Sequence, residues 1–256
     1  MGILRQLVVW ILVLSSITKS TIERPIVQII ECYDPALALE GSSMARRPVS
    51  ETGDTHAHLR RVSFRLFGQF GYDGVSLLTI AQAAGLTKSA MYGHFAGKQA
   101  LYADCMTQLV ALFEAHVLDT AGTADDALER VILLFRGLQN LSTDERVADG
   151  IGGYWLRPNT ADVTDAREVL KHFETRARDV VEAYVVEAQA AGRLKQNAPP
   201  KEIARAFIAI MEAIVLPLGE RATSDQSELV SVLAKIFFEA YATDTTTIER
   251  ARAVLG

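Results

Sequence analysis

The sequence predicts an all-α fold, a three-helix head followed by a larger helical body, on two observations. From Leu59 onward, apolar residues recur at i, i+3, i+4 and i+7 in one segment after another, which is the spacing of a single helix face. Those segments are punctuated by helix signals: Ser76 and Thr87 as N-terminal caps, Gly85 and Gly192 as C-terminal stops, and the Pro199–Pro200 pair at a start.

The first 43 residues differ from the rest. Leu7 to Leu14 is an apolar run behind Arg5, too short to span a bilayer but long enough for the core of a signal peptide. The following SSITKS lacks an A-x-A cleavage pattern, and Met44 opens the polar, basic stretch MARRPVSETGDTHAHLRR. The expectation is that residues 1–43 are an apolar extension, a misassigned start or disordered, ahead of a head over 44–98 and a body over 99–256. A genuine signal or anchor, or a packed accessory segment, are the alternatives.

In the head, Leu59, Val62, Ser63, Leu66, Phe67 and Phe70 form the apolar stripe of a first helix, and Gly71 to Gly74 turn the chain back. Ser76 caps a second helix with Leu77, Ile80, Ala81 and Ala84 on one face. Gly85 ends it and Leu86 tucks beneath. Thr87 then caps a very short third helix, Lys88 to about Tyr92, whose outward positions are Lys88, Ser89, Ala90 and Tyr92. Small or hydrogen-bonding side chains at a helix start are what a DNA major groove admits.

The body reads as helix throughout. Gln99 to about Leu118 runs straight out of the head with Leu101, Cys105, Leu109, Leu112, Phe113 and His116 near one side, so one helix serves both parts. Ala124 to Leu141 follows, with Asp125 and Asp126 at its positive end and Leu128, Val131, Ile132, Leu134, Phe135 and Leu138 as its apolar side. A shorter helix is expected over Asp144 to Ile151, ended by GIGGYWLRP. Ala161 to Ala191 is the longest, burying Val169, Phe173, Val180, Tyr184 and Ala188. Two wide stripes close the chain: Ile203, Ala206, Phe207, Ile210, Met211, Ile214 and Leu218, then Leu229, Val232, Leu233, Ile236, Phe237, Ala240 and Tyr241 in what reads as the last helix.

Charge is uneven. The chain is acidic overall, with 26 Lys and Arg against 31 Asp and Glu. Yet Ala45 to Lys98 carries seven basic residues (Arg46, Arg47, Arg60, Arg61, Arg65, Lys88, Lys98) against three acidic ones, while Gln99 onward carries 16 basic and 24 acidic. A basic head on an acidic body is the footprint of a modular nucleic-acid binder. Two cysteines, Cys32 and Cys105, build no disulfide framework, so a cytoplasmic setting is expected. The five histidines have no metal spacing, and no G-x-S-x-G, P-loop or paired catalytic carboxylate pattern occurs. No enzyme activity, metal or cofactor is therefore expected.

The run FRLFGQFGYDGVSLLTIAQAAGLTKSAMYGHFAGKQALY resembles the DNA-binding domain of the TetR family of transcriptional regulators. The resemblance rests on the LF-x-x-x-GY end of the first helix, the IA-x-x-AG-L-T turn, and the exit formed by Tyr92, Phe95, Lys98 and Leu101. It covers about residues 56 to 102. Two departures stand out: Leu77, Leu78 and Thr79 follow the Ser76 cap where relatives often carry a polar or charged pair, and Gly93 removes a side chain from the helix exit.

The resemblance implies a ligand-responsive repressor that binds a palindromic double-stranded DNA operator as a homodimer, paired through the last two helices, and is released by a small-molecule effector. It implies phosphate contacts from Arg46, Arg47, Arg60 and Arg61, and from Thr87, Tyr92, His94 and Lys98. Lys88, Ser89 and Ala90 would sit nearest base edges. Candidate effector-lining residues are Cys105, Met106, Leu109, Phe113, Phe135, Tyr154, Trp155, Phe173, Tyr184, Phe207 and Met211, of which about a third are expected to face a cavity. Tyr154, His172 and Arg176 are polar candidates to orient the ligand. Membrane association is not expected. The rivals are a helical lipid- or small-molecule-binding protein whose head contacts other proteins, and a membrane-tethered sensor using Leu7 to Leu14.

Overall fold

Helix α1 (Thr52–Phe70), α2 (Leu77–Ala83) and α3 (Lys88–Tyr92) make the head, and α4 (Lys98–Phe113) carries the chain out of it. The computed structural model describes residues 52–147, 150–156, 158, 162–215 and 223–256. Leu7 to Leu14, Arg46 and Arg47 lie outside the described residues.

The head closes over Leu59, Phe67, Ile80, Met91 and Leu101, all buried. Ser63 is buried at no polar cost because its hydroxyl donates to the Leu59 carbonyl at 2.7 Å. The stripe of α1 rotates slightly from its expected line: Phe70 comes out exposed, while Phe64, not anticipated as core, is buried against the body. Between α2 and α3, Gly85 adopts φ +65° and the Leu86 N–H reaches back to the Ala81 carbonyl at 2.8 Å, a Schellman stop that fixes the angle between the two helices.

Four features of the body differ from expectation. First, α4 does not stay regular. It runs into a π turn (Glu114–Asp119) and a final α turn (Thr120–Gly122). The π turn lies against Gly137 of α5 (Ala127–Ser142), where a Cβ would sit 2.3 Å from the His116 carbonyl oxygen and 2.6 Å from Val117 Cα. Second, no helix forms over Asp144 to Val147. The Asp144 carboxylate accepts the Arg146 N–H at 2.9 Å and holds a tight turn instead. The helical turn comes later, as a 3₁₀ segment (Gly152–Trp155) inside the run expected only to break structure.

Third, α6 (Thr164–Ala190) buries Phe173 and Ala188 as expected, but it buries Ala177, Val181 and Val185 and leaves Val169, Val180 and Tyr184 half-buried, so between Phe173 and Ala188 its inner face is displaced by one position from the predicted stripe. Gly192 ends it at φ +69° as expected. Fourth, α7 (Pro200–Val215) and α8 (Thr223–Tyr241) are not the last two helices. Asp244 accepts the Thr247 N–H at 2.7 Å and starts α9 (Thr245–Leu255), which packs on α8 and α5. Gln139 of α5 clamps its end, donating to the Leu255 carbonyl at 2.8 Å. An aromatic cluster centred on Phe135 fills this end of the body, with Phe207, Phe237 and Phe238 at 5.0, 5.3 and 5.7 Å between ring centroids.

Candidate nucleic-acid interface and effector cavity

The recognition helix exists because its two ends and one face are tied down. Thr87 Oγ1 accepts the Ala90 N–H at 3.1 Å, and Met91, 2% exposed, plugs the helix into the head core. That leaves Thr87, Lys88, Ser89 and Ala90 facing solvent, with Tyr92 52% exposed one turn on. The supporting helix α2 is capped the same way, Ser76 Oγ accepting the Thr79 N–H at 3.0 Å. Its outer face shows Leu78, 55% exposed, and no charged residue. All four positions read from the sequence as outward, Lys88, Ser89, Ala90 and Tyr92, are exposed.

The flanking residues divide. Lys98 opens α4 with its Nζ 4.0 Å from the centroid of the Tyr72 ring, and partial burial lowers its pKa from the ordinary lysine value. His94 is half-buried, 5.7 Å from the His56 ring, which itself stacks on Phe95 at 5.1 Å. Arg61 is exposed but opens on a groove between α1 and α4 beside Gln108 and Ala111, not on the recognition helix. Arg60 is a correction. Its guanidinium pairs bidentately with Asp104 on α4, at 2.7 and 3.0 Å, and Gln108 donates to the same carboxylate at 2.9 Å. It ties the head to the body instead of facing a phosphate. Sequence spacing carried no sign of this, because the partner lies 44 residues away.

The head and the body meet on a backbone-to-backbone contact. A Cβ on Gly153 would lie 2.3 Å from the Phe67 carbonyl oxygen and 2.6 Å from the Gly71 nitrogen, and one on Gly68 would lie 2.5 Å from the Gly150 carbonyl oxygen. Tyr154 seals the contact, its hydroxyl donating to the Phe64 carbonyl at 3.0 Å. Of the glycines that looked like a helix break, Gly153 thus serves close approach, while Gly150 takes a left-handed φ of +92°.

Behind that contact lies a cavity of about 580 Å³ between α4, the 3₁₀ turn and α6. Met106, Tyr154 and Trp155 line it, as expected; Tyr102, Arg167 and Lys171 line it too and were not anticipated. The other candidates do not reach it. Cys105, Leu109, Phe113, Phe135, Phe173, Phe207 and Met211 are buried core, and burial pushes the Cys105 thiol pKa up. Phe113 packs edge-on to Trp155 at 5.9 Å and against Phe173 at 5.6 Å, and Tyr184 is half-buried with the Arg130 guanidinium 5.5 Å from its ring centroid. Of the polar candidates, His172 is exposed and Arg176 pairs with Glu114 at 2.5 Å. Neither lines this cavity.

Residues 59–105 match the family model described as bacterial regulatory proteins, tetR family. The HTH-type transcriptional regulator AcrR of Shigella flexneri is 43% identical over 61 residues, which are 24% of this chain and 28% of that protein. The match to that relative therefore spans under a third of its length. Among solved structures, the ketosteroid transcriptional regulator KstR2 of Mycobacterium tuberculosis superposes with a TM-score of 0.61 at 16% identity, over 79% of this chain and 100% of that one. AibR in complex with isovaleryl coenzyme A and operator DNA superposes with a TM-score of 0.54 at 21% identity, over 70% and 97%. The sequence matches fall on the helix-turn-helix head, and the structural ones extend the same fold through the helical body. Residues 59–105 are thus similar in sequence to the helix-turn-helix head of the tetR family of bacterial regulatory proteins, and the rest of the chain shares the fold of the solved regulators.

Proposed function

We propose that the protein is a ligand-responsive transcriptional repressor that binds a palindromic DNA operator as a homodimer in the cytoplasm and releases it when a small molecule fills the body cavity. The observation that carries this reading is the solvent-facing start of α3, capped by Thr87 and anchored by Met91. On it Lys88 donates to guanine acceptors, Ser89 hydrogen-bonds a base edge, and Ala90 touches a thymine methyl. Thr87, Tyr92 and Lys98 hold phosphates, with His94 and Arg61 at the margin and Arg46 and Arg47 reaching the backbone from the segment ahead of α1.

A five-residue recognition helix makes few base contacts, so useful specificity needs two heads on one face of the duplex. The second copy pairs through α7 and α8. In α8 Val232 and Ile236, 48% and 56% exposed, extend an outward apolar line with Leu229, Leu233 and Ala240 while Val230, Ala234, Phe237 and Phe238 fill the subunit's own core. Among the described residues no helix is long and apolar enough to cross a membrane.

The test is DNA binding by the full chain on the fragment upstream of its own gene, across a salt series, beside Lys88→Ala and Tyr92→Ala. Affinity that falls steeply with salt, a footprint over a near-palindrome and weaker mutants are expected. Salt-insensitive binding, or none on that fragment or on genomic fragments, overturns the reading.

A further inference from the structure

The body cavity separates its polar groups by depth. Tyr102, Met106, Tyr154, Val163 and Ala166 form the floor, each no more than 3% exposed, whereas Leu156, Arg167 and Lys171 are exposed at the rim and Glu174 is half-buried beside them. The charges of the lining therefore stay within reach of water, and these floor residues carry none. The floor's polar side-chain groups are two hydroxyls. That of Tyr154 donates to the Phe64 carbonyl, but that of Tyr102 makes no hydrogen bond to any described residue. The Tyr102 ring is held edge-on to Phe67 and Tyr72, each at 5.0 Å, and stacked on Tyr154 at 5.8 Å. A buried hydroxyl without a partner is costly, and such groups are rare in folded proteins.

Charge and hydrogen-bond counting define what that hydroxyl meets. Burial raises the Tyr102 pKa, so at neutral pH the group is an uncharged donor. The Asp73 carboxylate raises that pKa by more than Arg167 lowers it, and Arg167 already donates to the Pro158 carbonyl at 3.3 Å. A carboxylate brought to the floor would lose its water and meet no net positive field there. An ammonium ion would lose its water too, and it has no lone pair to accept the hydroxyl hydrogen. An alcohol brings a second hydrogen, so two hydroxyls share one bond and one hydrogen is left without an acceptor. A carbonyl oxygen accepts and brings no donor, and the count closes. Met106 and Val163, with half-buried Trp155 and Leu170, give the rest of the ligand an apolar and aromatic wall. A volume of about 580 Å³ falls within the range of sites for small organic ligands.

We infer that the cavity takes an uncharged carbonyl compound, a ketone or ester on an apolar skeleton, whose oxygen accepts the Tyr102 hydroxyl at the floor. This rests on the reading of the cavity as the effector site. The ligand's anchor then sits on a ring that touches Phe67 and Tyr72 of the head, and Tyr72 in turn carries Lys98.

The experiment is calorimetric titration of the full chain, without DNA, with methyl hexyl ketone and benzylacetone. Each is set beside the carboxylate of the same shape, heptanoate or hydrocinnamate, and beside its own secondary alcohol and amine. At least one ketone binds one to one, about fivefold or more tighter than its alcohol and about tenfold or more tighter than its carboxylate and amine. Tyr102→Phe weakens that ketone about tenfold while leaving the Tm of the free protein unchanged or higher, because it removes an unsatisfied group. Lys171→Gln and Glu174→Gln at the rim each change its affinity less than about twofold. No binding of either ketone up to about 1 mM, a carboxylate, amine or alcohol that binds as tightly as its ketone, or unchanged affinity in Tyr102→Phe overturns the inference. So does a rim variant that loses as much affinity as Tyr102→Phe, or a Tm in Tyr102→Phe that falls by several degrees, which would give the hydroxyl a structural partner. Because no DNA is present, these outcomes are separate from whether the head binds an operator.

Discussion

Two side chains illustrate how single residues hold the candidate interface. Thr87 is exposed and contributes almost nothing to the core, yet its hydroxyl closes the first turn of a helix only five residues long. A helix that short is not stable on its own propensity, so the cap and Met91 decide whether it forms. Thr87→Ala is expected to cost about 1 kcal/mol in urea unfolding and to weaken operator binding, whereas Thr87→Ser retains both.

Asp144 is the second case. The Arg146 guanidinium and N–H, together with His116 at 2.9 Å, hold its carboxyl well below the usual carboxylate range. A carboxyl whose pKa is lower in the folded state contributes stability that is present above the unfolded value, about 3.9, and fades as pH falls below it. The gap in unfolding free energy between the native chain and Asp144→Asn should therefore be full at neutral pH and narrow on acidification below about pH 4. A gap independent of pH would remove the ionic account of this turn.

At the scale of elements, glycine positions decide how helices approach. Replacing a helical glycine by alanine normally gains up to about 1 kcal/mol from propensity. At Gly137 the added methyl would meet the backbone of His116 and Val117 at 2.3 and 2.6 Å, so packing should win and Gly137→Ala should lose about 1–3 kcal/mol in thermal unfolding. Gly153→Ala meets backbone atoms of Phe67, Gly68 and Gly71, all closer than 3 Å, and these belong to the head. It is expected to lower stability and also to loosen the head, read as faster hydrogen exchange in α1. Local signals made α2 and α3 legible to the residue. They did not reveal the π turn or the 3₁₀ turn, because a close approach to a distant backbone sets both. In α9 a signal was present in Asp244, Ile248, Ala251 and Leu255, but it is masked by three successive threonines of low helix propensity.

For the whole molecule, the exposed apolar side chains of α8 set the prediction. The proposed second copy would cover the outward apolar line of α8, where Val232 and Ile236 are exposed. Ile236→Glu is expected to leave the helical circular dichroism unchanged, shift the protein from dimer to monomer in analytical ultracentrifugation, and weaken operator binding sharply. A dimer that survives Ile236→Glu and Val232→Glu together would place the pairing surface elsewhere. The sequence by itself determined the helical class, the head with its capped recognition helix, and the residues that helix turns outward, since all of these depend on contacts within a few residues. Only the tertiary structure decided that Arg60 belongs to Asp104, that Gly153 joins head to body, and which aromatic residues line the cavity. Helical periodicity says which face of a helix is buried. Whether that face meets another side chain or a void depends on helices far along the chain, and no local pattern contains that information.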